Sequence, residues 1–239
     1  MNEPAPFANI RVVLSHPSHP GNIGAAARAM KTMGLARLVL VNPKHFPDPV
    51  ADARASGATD VLAEARICAA LDEALEGAAL VAALTSRRRD FAPPTFTLRD
   101  AMAELADRAR RQEVALLFGA ETSGLRNSEL EKCHLRVEIP AAPVYPSLNL
   151  AAAVQVAAYE LRMALLEGAG RPAACGELAV HEEIEGFYQH LEQALTASGF
   201  LDPAHPKKLM PRLRQLFSRT RLERDEVNIL RGILNHMKK

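Results

Sequence analysis

A series of short, unbroken apolar runs, set between helix-like stretches, is the strongest constraint on how this chain folds. Ile10-Arg11-Val12-Val13-Leu14, Leu38-Val39-Leu40-Val41, Ala79-Leu80-Val81-Ala82-Ala83-Leu84, Val114-Ala115-Leu116-Leu117-Phe118 and Leu135-Arg136-Val137-Glu138-Ile139 each read as a strand. Their apolar residues are mostly continuous rather than alternating, as in parallel strands covered on both faces. Between them, Asn22 reads as the N-cap of a helix running to Met33 and stopped by Gly34. Residues 49–76 carry helical material, and Pro93-Pro94 precede a helix over about 97–111. A Pro-rich turn at 141–146 leads through Ser147-Leu148-Asn149-Leu150 into a helix of very small side chains, Ala151-Ala152-Ala153-Val154-Gln155-Val156-Ala157-Ala158-Tyr159. The pattern predicts an α/β domain over residues 1–167, a parallel sheet with helices on both faces.

The chain has 239 residues, 48% of them hydrophobic, enough for one large domain and a small appendage. Gly, Ala and Pro dominate the start of residues 168–180, which read as a linker. Residues 181–239 lose the strand pattern and read as a small all-α extension. Its first helix, 182–198, places Ile184, Phe187, Leu191 and Leu195 at helical spacing and stops at Gly199; two more follow at about 207–219 and 223–237. There is no apolar run long enough to cross a bilayer and no secretion signal at the N-terminus, so no membrane is expected. Cys68, Cys133 and Cys175 have no metal-binding spacing and suit a reducing cytoplasm.

Four constellations could carry chemistry. Gly21-Asn22-Ile23-Gly24-Ala25-Ala26-Ala27-Arg28 follows the first strand but lacks G-x-G-x-x-G, and the second strand ends in Asn42 rather than the acid of a dinucleotide site. It suits a ligand loop, or a capped helix with an exposed arginine. Phe118-Gly119-Ala120-Glu121-Thr122-Ser123-Gly124-Leu125 leaves backbone groups open between two glycines. It suits a ligand loop, or a strand–turn–helix capped by Asn127 or Ser128, and with Glu121 and Leu125 flanking Ser123 it is not a nucleophile elbow. Thr85-Ser86-Arg87-Arg88-Arg89 lies at a carboxyl strand end, where open α/β sheets bind ligands, and is also what a solvated charged loop looks like. Lys207, Lys208, Arg212, Arg214, Arg219, Arg221 and Arg224, against the single acid Glu223, have the footprint of a nucleic-acid surface or of a basic solvent face. His16 and His19 lack a third ligand nearby and read as turn residues or substrate contacts, not a metal site.

Taken together and in order, Asn22-x-Gly24-x-x-x-Arg28, Phe118-Gly119-x-Glu121-x-x-Gly124-Leu125 and Ile139-Pro140…Ser147-Leu148-Asn149-Leu150 resemble the three motifs of the SPOUT methyltransferases of the TrmH-like branch. Phe187-Tyr188-x-His190-Leu191-Glu192, Gly199-Phe200 and Asn228-Ile229-Leu230-Arg231-Gly232-Ile233-Leu234 resemble the C-terminal extension of members that methylate the ribose 2′-oxygen of cytidine or uridine at anticodon-loop position 32 of tRNA. The resemblance implies a C-terminal trefoil knot, S-adenosylmethionine as cofactor, tRNA as partner, a homodimer with the site built across its interface, and a cytoplasmic location. It implies Arg28 as the catalytic residue. Thr85, Ser86, Arg87, Gly119, Gly124, Ile139, Pro146, Ser147, Leu148 and Asn149 would bind the cofactor, and Asn22 and Glu121 the substrate. Methylation of another tRNA position or of rRNA, or RNA binding without catalysis, are the alternatives. The family often has a small residue where this chain has Arg87. Because a guanidinium stays protonated near neutral pH, Arg28 is expected to fix a phosphate or stabilise developing negative charge rather than act as a simple base.

Overall fold

The computed structural model describes residues 5–87, 93–167 and 176–236. In chain order its elements are α1 (Ala5–Ala8), β1 (Ile10–Ser15), α2 (Pro20–Thr32), β2 (Arg37–Val41), α3 (Pro49–Ala55), α4 (Thr59–Ala63), β3 (Arg66–Cys68), α5 (Leu71–Leu75), β4 (Ala78–Leu84), β5 (Thr95–Thr97), α6 (Leu98–Arg108), β6 (Glu113–Phe118), α7 (Asn127–Leu130), β7 (Leu135–Glu138), α8 (Leu150–Glu167), α9 (His181–Ala197), α10 (Leu209–Ser218) and α11 (Arg224–His236). The strands form one seven-stranded sheet in the order β3-β2-β1-β6-β4-β7-β5, and every pairing is parallel.

Both faces of this sheet are covered, which explains the unbroken apolar runs. Val12 and Leu14, Leu80, Ala82 and Leu84, and Leu116 and Phe118 face α2, α6 and α8. Their strand neighbours Val13, Val81, Ala83, Ala115 and Leu117 face α5 and α7. Successive side chains of a strand point to opposite faces, so a sheet with two buried faces favours apolar residues at neighbouring as well as alternate positions. Each fully buried leucine here contributes on the order of 1.5–3 kcal/mol. The two edge strands, Arg66-Ile67-Cys68 and Thr95-Phe96-Thr97, escape the sequence reading because they are short and mostly exposed.

Local structure corrects two sequence expectations. Asn22 is not an N-cap: α2 begins at Pro20 with His19 before it, because proline suits the first turn of a helix, where its missing N–H is not needed. Asn22 therefore lies inside the first turn. Neither Asn127 nor Ser128 caps α7; Arg126 precedes it, and the Glu129 carboxylate accepts the Arg126 backbone N–H at 2.6 Å. The small-residue logic of α2 is direct: a Cβ on Gly24 would lie 2.0 Å from the Ala51 carbonyl oxygen of α3.

Residues 168–175, most of the expected linker, lie outside the described residues, as does Cys175. Residues 176–180 are tied down: Leu178 and Ala179 are buried, and Gln112 exchanges hydrogen bonds with both backbone groups of Leu178 at 2.9 and 3.1 Å. The helices α9–α11 share a core of Phe187, Tyr188, Leu191, Leu222, Val227 and Leu234, with Phe187 and Phe217 edge-to-face at 5.0 Å. They dock on the sheet domain through His181 to Asp72 (2.9 Å), Gly77 N–H to Glu182 (2.9 Å) and Arg221 to Glu104 (2.9 Å). Half-buried His134, whose Nδ1 accepts the Val81 N–H at 3.1 Å, is pushed down to about 3 by desolvation and then by the Arg221 charge, so it stays neutral and can accept. No described helix is long and apolar enough to cross a membrane.

Candidate functional site

Beyond the carboxyl ends of β4, β6 and β7 the chain leaves an open cleft of about 130 Å³. Three segments wall it. The first is Thr85, Ser86 and Arg87 after β4; the second is Gly119, Ala120, Glu121 and Gly124 after β6; the third is Ile139 after β7 with Pro146, Ser147 and Leu148 before α8. Nine of the ten expected cofactor contacts therefore share one cleft. The sequence reading missed the apolar floor, Leu84, Phe118, Leu150 and Ala153, which looks like ordinary core until the loops above it are placed.

The 119–124 segment is a closed turn. Gly124 donates its N–H to the Ala120 carbonyl at 2.8 Å and has φ +65°, a conformation that favours glycine. Gly119 has no room for a side chain, since a Cβ there would lie 2.3 Å from the Gly124 carbonyl carbon and the Leu125 nitrogen. Arg87 reaches across from the end of β4: its Nη1 donates to the Ser123 carbonyl at 2.7 Å and its Nη2 to the Thr122 carbonyl at 3.0 Å. Its guanidinium is thus held by the turn, while Arg87 itself lines the cleft where it is expected to meet the cofactor. Arg88 and Arg89 lie outside the described residues.

Glu121 joins the three motifs. One of its oxygens, Oε2, accepts from the Ser18 N–H (2.9 Å) and Ser18 Oγ (2.8 Å); Oε1 accepts from the His19 N–H (3.2 Å) and Asn22 Nδ2 (3.0 Å). Burial opposes ionisation of this carboxyl, but the hydrogen bonds from Asn22 and Ser18 outweigh it and hold the group down at about 2. Asn22 Oδ1 in turn accepts from Asn149 Nδ2 at 2.9 Å, and Asn149 Oδ1 caps α8 by accepting from the Ala151 and Ala152 N–H groups at 2.9 and 3.3 Å. Asn149 does not line the cleft. Asn22 and Glu121, expected to meet substrate, and Asn149, expected to meet cofactor, thus make protein contacts that fix α2, the turn and α8 to one another. Ser18 is the partner that the sequence reading missed; its only signal was a hydroxyl two residues before the proline that opens α2.

Arg28 is exposed on α2, does not line the cleft, and has no hydrogen-bond or ion-pair partner among the described residues. The basic stretch of the C-terminal helices is partly engaged within the protein. Arg214 is paired with Glu185 at 2.6 and 2.8 Å and stacked 4.2 Å over the Tyr188 ring. Arg221 bonds Glu104 and the His134 carbonyl, Arg224 bonds Glu183, and Arg219 bonds the Gln215 carbonyl of its own helix. Lys208 and Arg212 also have partners. Arg214 and Arg221 are thus half-buried and tied to the fold, while Lys207, Lys208, Arg212, Arg219 and Arg224 remain exposed.

Comparison with known proteins follows the same division of the chain. Residues 9–159 match the SpoU rRNA Methylase family, and residues 182–239 match the C-terminal domain of tRNA methyltransferase TrmJ. The tRNA (cytidine/uridine-2′-O-)-methyltransferase TrmJ of Pectobacterium atrosepticum is 50% identical over 234 residues, covering 97% of each chain. The Pseudomonas aeruginosa protein, named tRNA (cytidine/uridine/adenosine-2′-O-)-methyltransferase TrmJ, is 48% identical over 241 residues, covering 96% of this chain and 94% of that one. The crystal structure of TrmJ from Z. mobilis ZM4 is similar with a TM-score of 0.84 at 33% identity, covering 96% of this chain and 99% of the other. The chain belongs to the SpoU methylase family, among the members that carry a TrmJ C-terminal domain.

Proposed function

We propose that this protein is an S-adenosylmethionine-dependent tRNA methyltransferase acting on a ribose 2′-oxygen, that of cytidine or uridine at position 32 of the anticodon loop. The observation that carries the proposal is the convergence of the second and third motif segments, with Thr85, Ser86 and Arg87, on one cleft at the carboxyl edge of a parallel sheet. The cleft's chemistry fits the cofactor. Leu84, Ile139, Leu148, Leu150 and Ala153 offer an apolar bed for an adenine ring, and Thr85, Ser86 and Ser147 bring hydroxyls beside open backbone groups at 119–120 and 146–148. When bound, S-adenosylmethionine supplies a methyl group already activated on a sulfonium.

The chain's own residues must then align and polarise. Thr85, Ser86, Gly119, Gly124, Ile139, Pro146, Ser147 and Leu148 hold the cofactor, while Arg87 holds the turn that contributes Gly119 and Gly124. Glu121 is a positioning residue: it is ionised at neutral pH and both its oxygens already accept two hydrogen bonds, so it is a poor base for the ribose hydroxyl. Arg28 is the catalytic residue, stabilising negative charge as it develops on the 2′-oxygen.

Arg28 lies outside the cleft of its own chain, which supports a homodimer in which one protomer offers Arg28 to its partner's cleft. The exposed apolar side chains of Val156 and Tyr159 on α8, and of Val144 and Tyr145 in the loop before it, support the same arrangement, because a second copy would cover them. The reading carries with it a trefoil knot made by the cleft-forming segments, and a cytoplasmic location alongside its tRNA. In support of the knot, β7 follows β6 in sequence yet is separated from it in the sheet by β4.

The test is methylation of unmodified tRNA with labelled cofactor, followed by mapping of the labelled nucleotide. Label on the 2′-oxygen of residue 32 supports the whole proposal. Label on another ribose overturns the position, and label on a base or no label overturns the activity.

A further inference from the structure

The cations of the C-terminal helices are mostly engaged, but a different set is free. Lys44, Arg54 and Arg28 are exposed and have no hydrogen-bond or ion-pair partner among the described residues. Lys44 and Arg54 sit at the start of α2, and Arg28 lies further along it. The Lys44 N–H donates to the Pro17 carbonyl at 3.0 Å, which sets the loop after β2 beside the loop that leads into α2. Arg54, on α3, passes its stem over Gly21, with Cγ 3.6 Å from where a Cβ of Gly21 would be. Arg28 lies seven residues beyond Gly21 on the same stripe of α2, about 10 Å along the helix axis.

The neighbouring acids form no ion pair with these cations. Asp48 is occupied as the cap of α3, accepting the Val50 N–H at 2.8 Å. Asp52 lies on the far side of α3, since Val50 and Arg54 approach Gly21 while Ala51 and Ala55 are buried. Glu121 is already saturated by four hydrogen bonds. A corner of unpaired cations beside a cleft attracts a polyanion over a range set by ionic strength.

We infer that Lys44 and Arg54 form a phosphate-contacting surface that guides the RNA strand toward Arg28, and that this corner, not the arginine-rich stretch of the C-terminal helices, supplies the main electrostatic contact with RNA. The inference rests on the RNA-methylation reading and deepens it. The contacts are to the sugar–phosphate backbone and so position the strand without reading its sequence.

The test is the salt dependence of binding of unmodified tRNA to the full-length protein and to the Lys44→Ala/Arg54→Ala double variant, by fluorescence anisotropy. Neither residue lines the cleft, so S-adenosylmethionine affinity measured by calorimetry is expected to be the same in both and reports that the variant is folded. Each lost phosphate contact reduces the slope of log affinity against log salt by about 0.7, so two lost contacts reduce it by about 1.4. If the two proteins converge at 1 M salt, the variant is expected to bind about 25-fold more weakly at 0.1 M. An unchanged slope and affinity in the variant overturns the inference. So does binding of polyglutamate that the double variant loses while tRNA binding is kept, which would assign the corner to an acidic protein. An unaltered protein that neither binds nor methylates tRNA overturns the functional reading beneath it, not the placement of the charge.

Discussion

The turn at 119–124 and the arginine-rich stretch at 207–224 both stand out in the sequence, and they have opposite fates. In the turn, glycines and a short side chain leave Gly119, Ala120 and Gly124 lining a cleft. In the helical stretch, strong charges close on partners within the protein: Arg214 on Glu185, Arg221 on Glu104, Arg224 on Glu183. A glycine pattern reports a backbone constraint, which survives folding because nothing else can satisfy it. A count of charges reports only potential, which folding can consume.

The comparison can be broken at several points. The largest effect is expected at Gly119→Ala. The new Cβ meets backbone at 2.3 Å, which no side-chain shift relieves. About 1–3 kcal/mol of stability should be lost, read as a lower denaturant midpoint, and cofactor affinity should fall below calorimetric detection. Unchanged affinity would mean that the turn is not part of the cofactor site.

Next is Glu121→Gln. The carboxyl sits near 2 in the folded protein, below its ordinary 4.5. A depressed carboxylate contributes stability that is full above about 4.5 and is lost as pH falls toward about 2. The variant should therefore be less stable at neutral pH by roughly 1–2 kcal/mol after discounting for solvent screening, and its stability should fall less steeply between pH 4.5 and 2. Parallel acid-unfolding curves would contradict the positioning role.

Arg87→Ala removes two hydrogen bonds from an exposed guanidinium to the turn. About 1 kcal/mol corresponds to roughly a fivefold rise in KM for cofactor with kcat little changed. Arg87→Lys should recover part of it. Equal loss in kcat would instead put Arg87 against the reacting atoms.

The smallest functional effect is expected at Arg214→Ala. Losing the Glu185 pair and the Tyr188 stack should cost about 1–2 kcal/mol in thermal stability, with tRNA affinity within about twofold. A large loss of tRNA affinity at unchanged stability would restore the helical stretch as an RNA surface.

Legibility followed the same line. The five central strands were readable because both faces of the sheet are buried and most positions are apolar, all of them in Ala78–Leu84. The edge strands were not, since Thr95-Phe96-Thr97 carries one apolar side chain between two threonines. The cleft was readable through Gly119, Gly124 and the 146–148 loop. The Glu121–Asn22–Asn149 linkage was not, because its members are 99 and 127 residues apart and only the sheet order brings them together. The pairing of Arg221 with Glu104, 117 residues away, was hidden for the same reason.

The most direct test of the central claim is single-turnover methyl transfer to unmodified tRNA by the unaltered protein and by Arg28→Ala, each saturated with labelled S-adenosylmethionine. The expected result is label on a ribose 2′-oxygen by the unaltered protein and transfer slowed by on the order of 10²–10³ in the variant, with cofactor affinity unchanged. Transfer by Arg28→Ala at the unaltered rate, or label on a base, would contradict it.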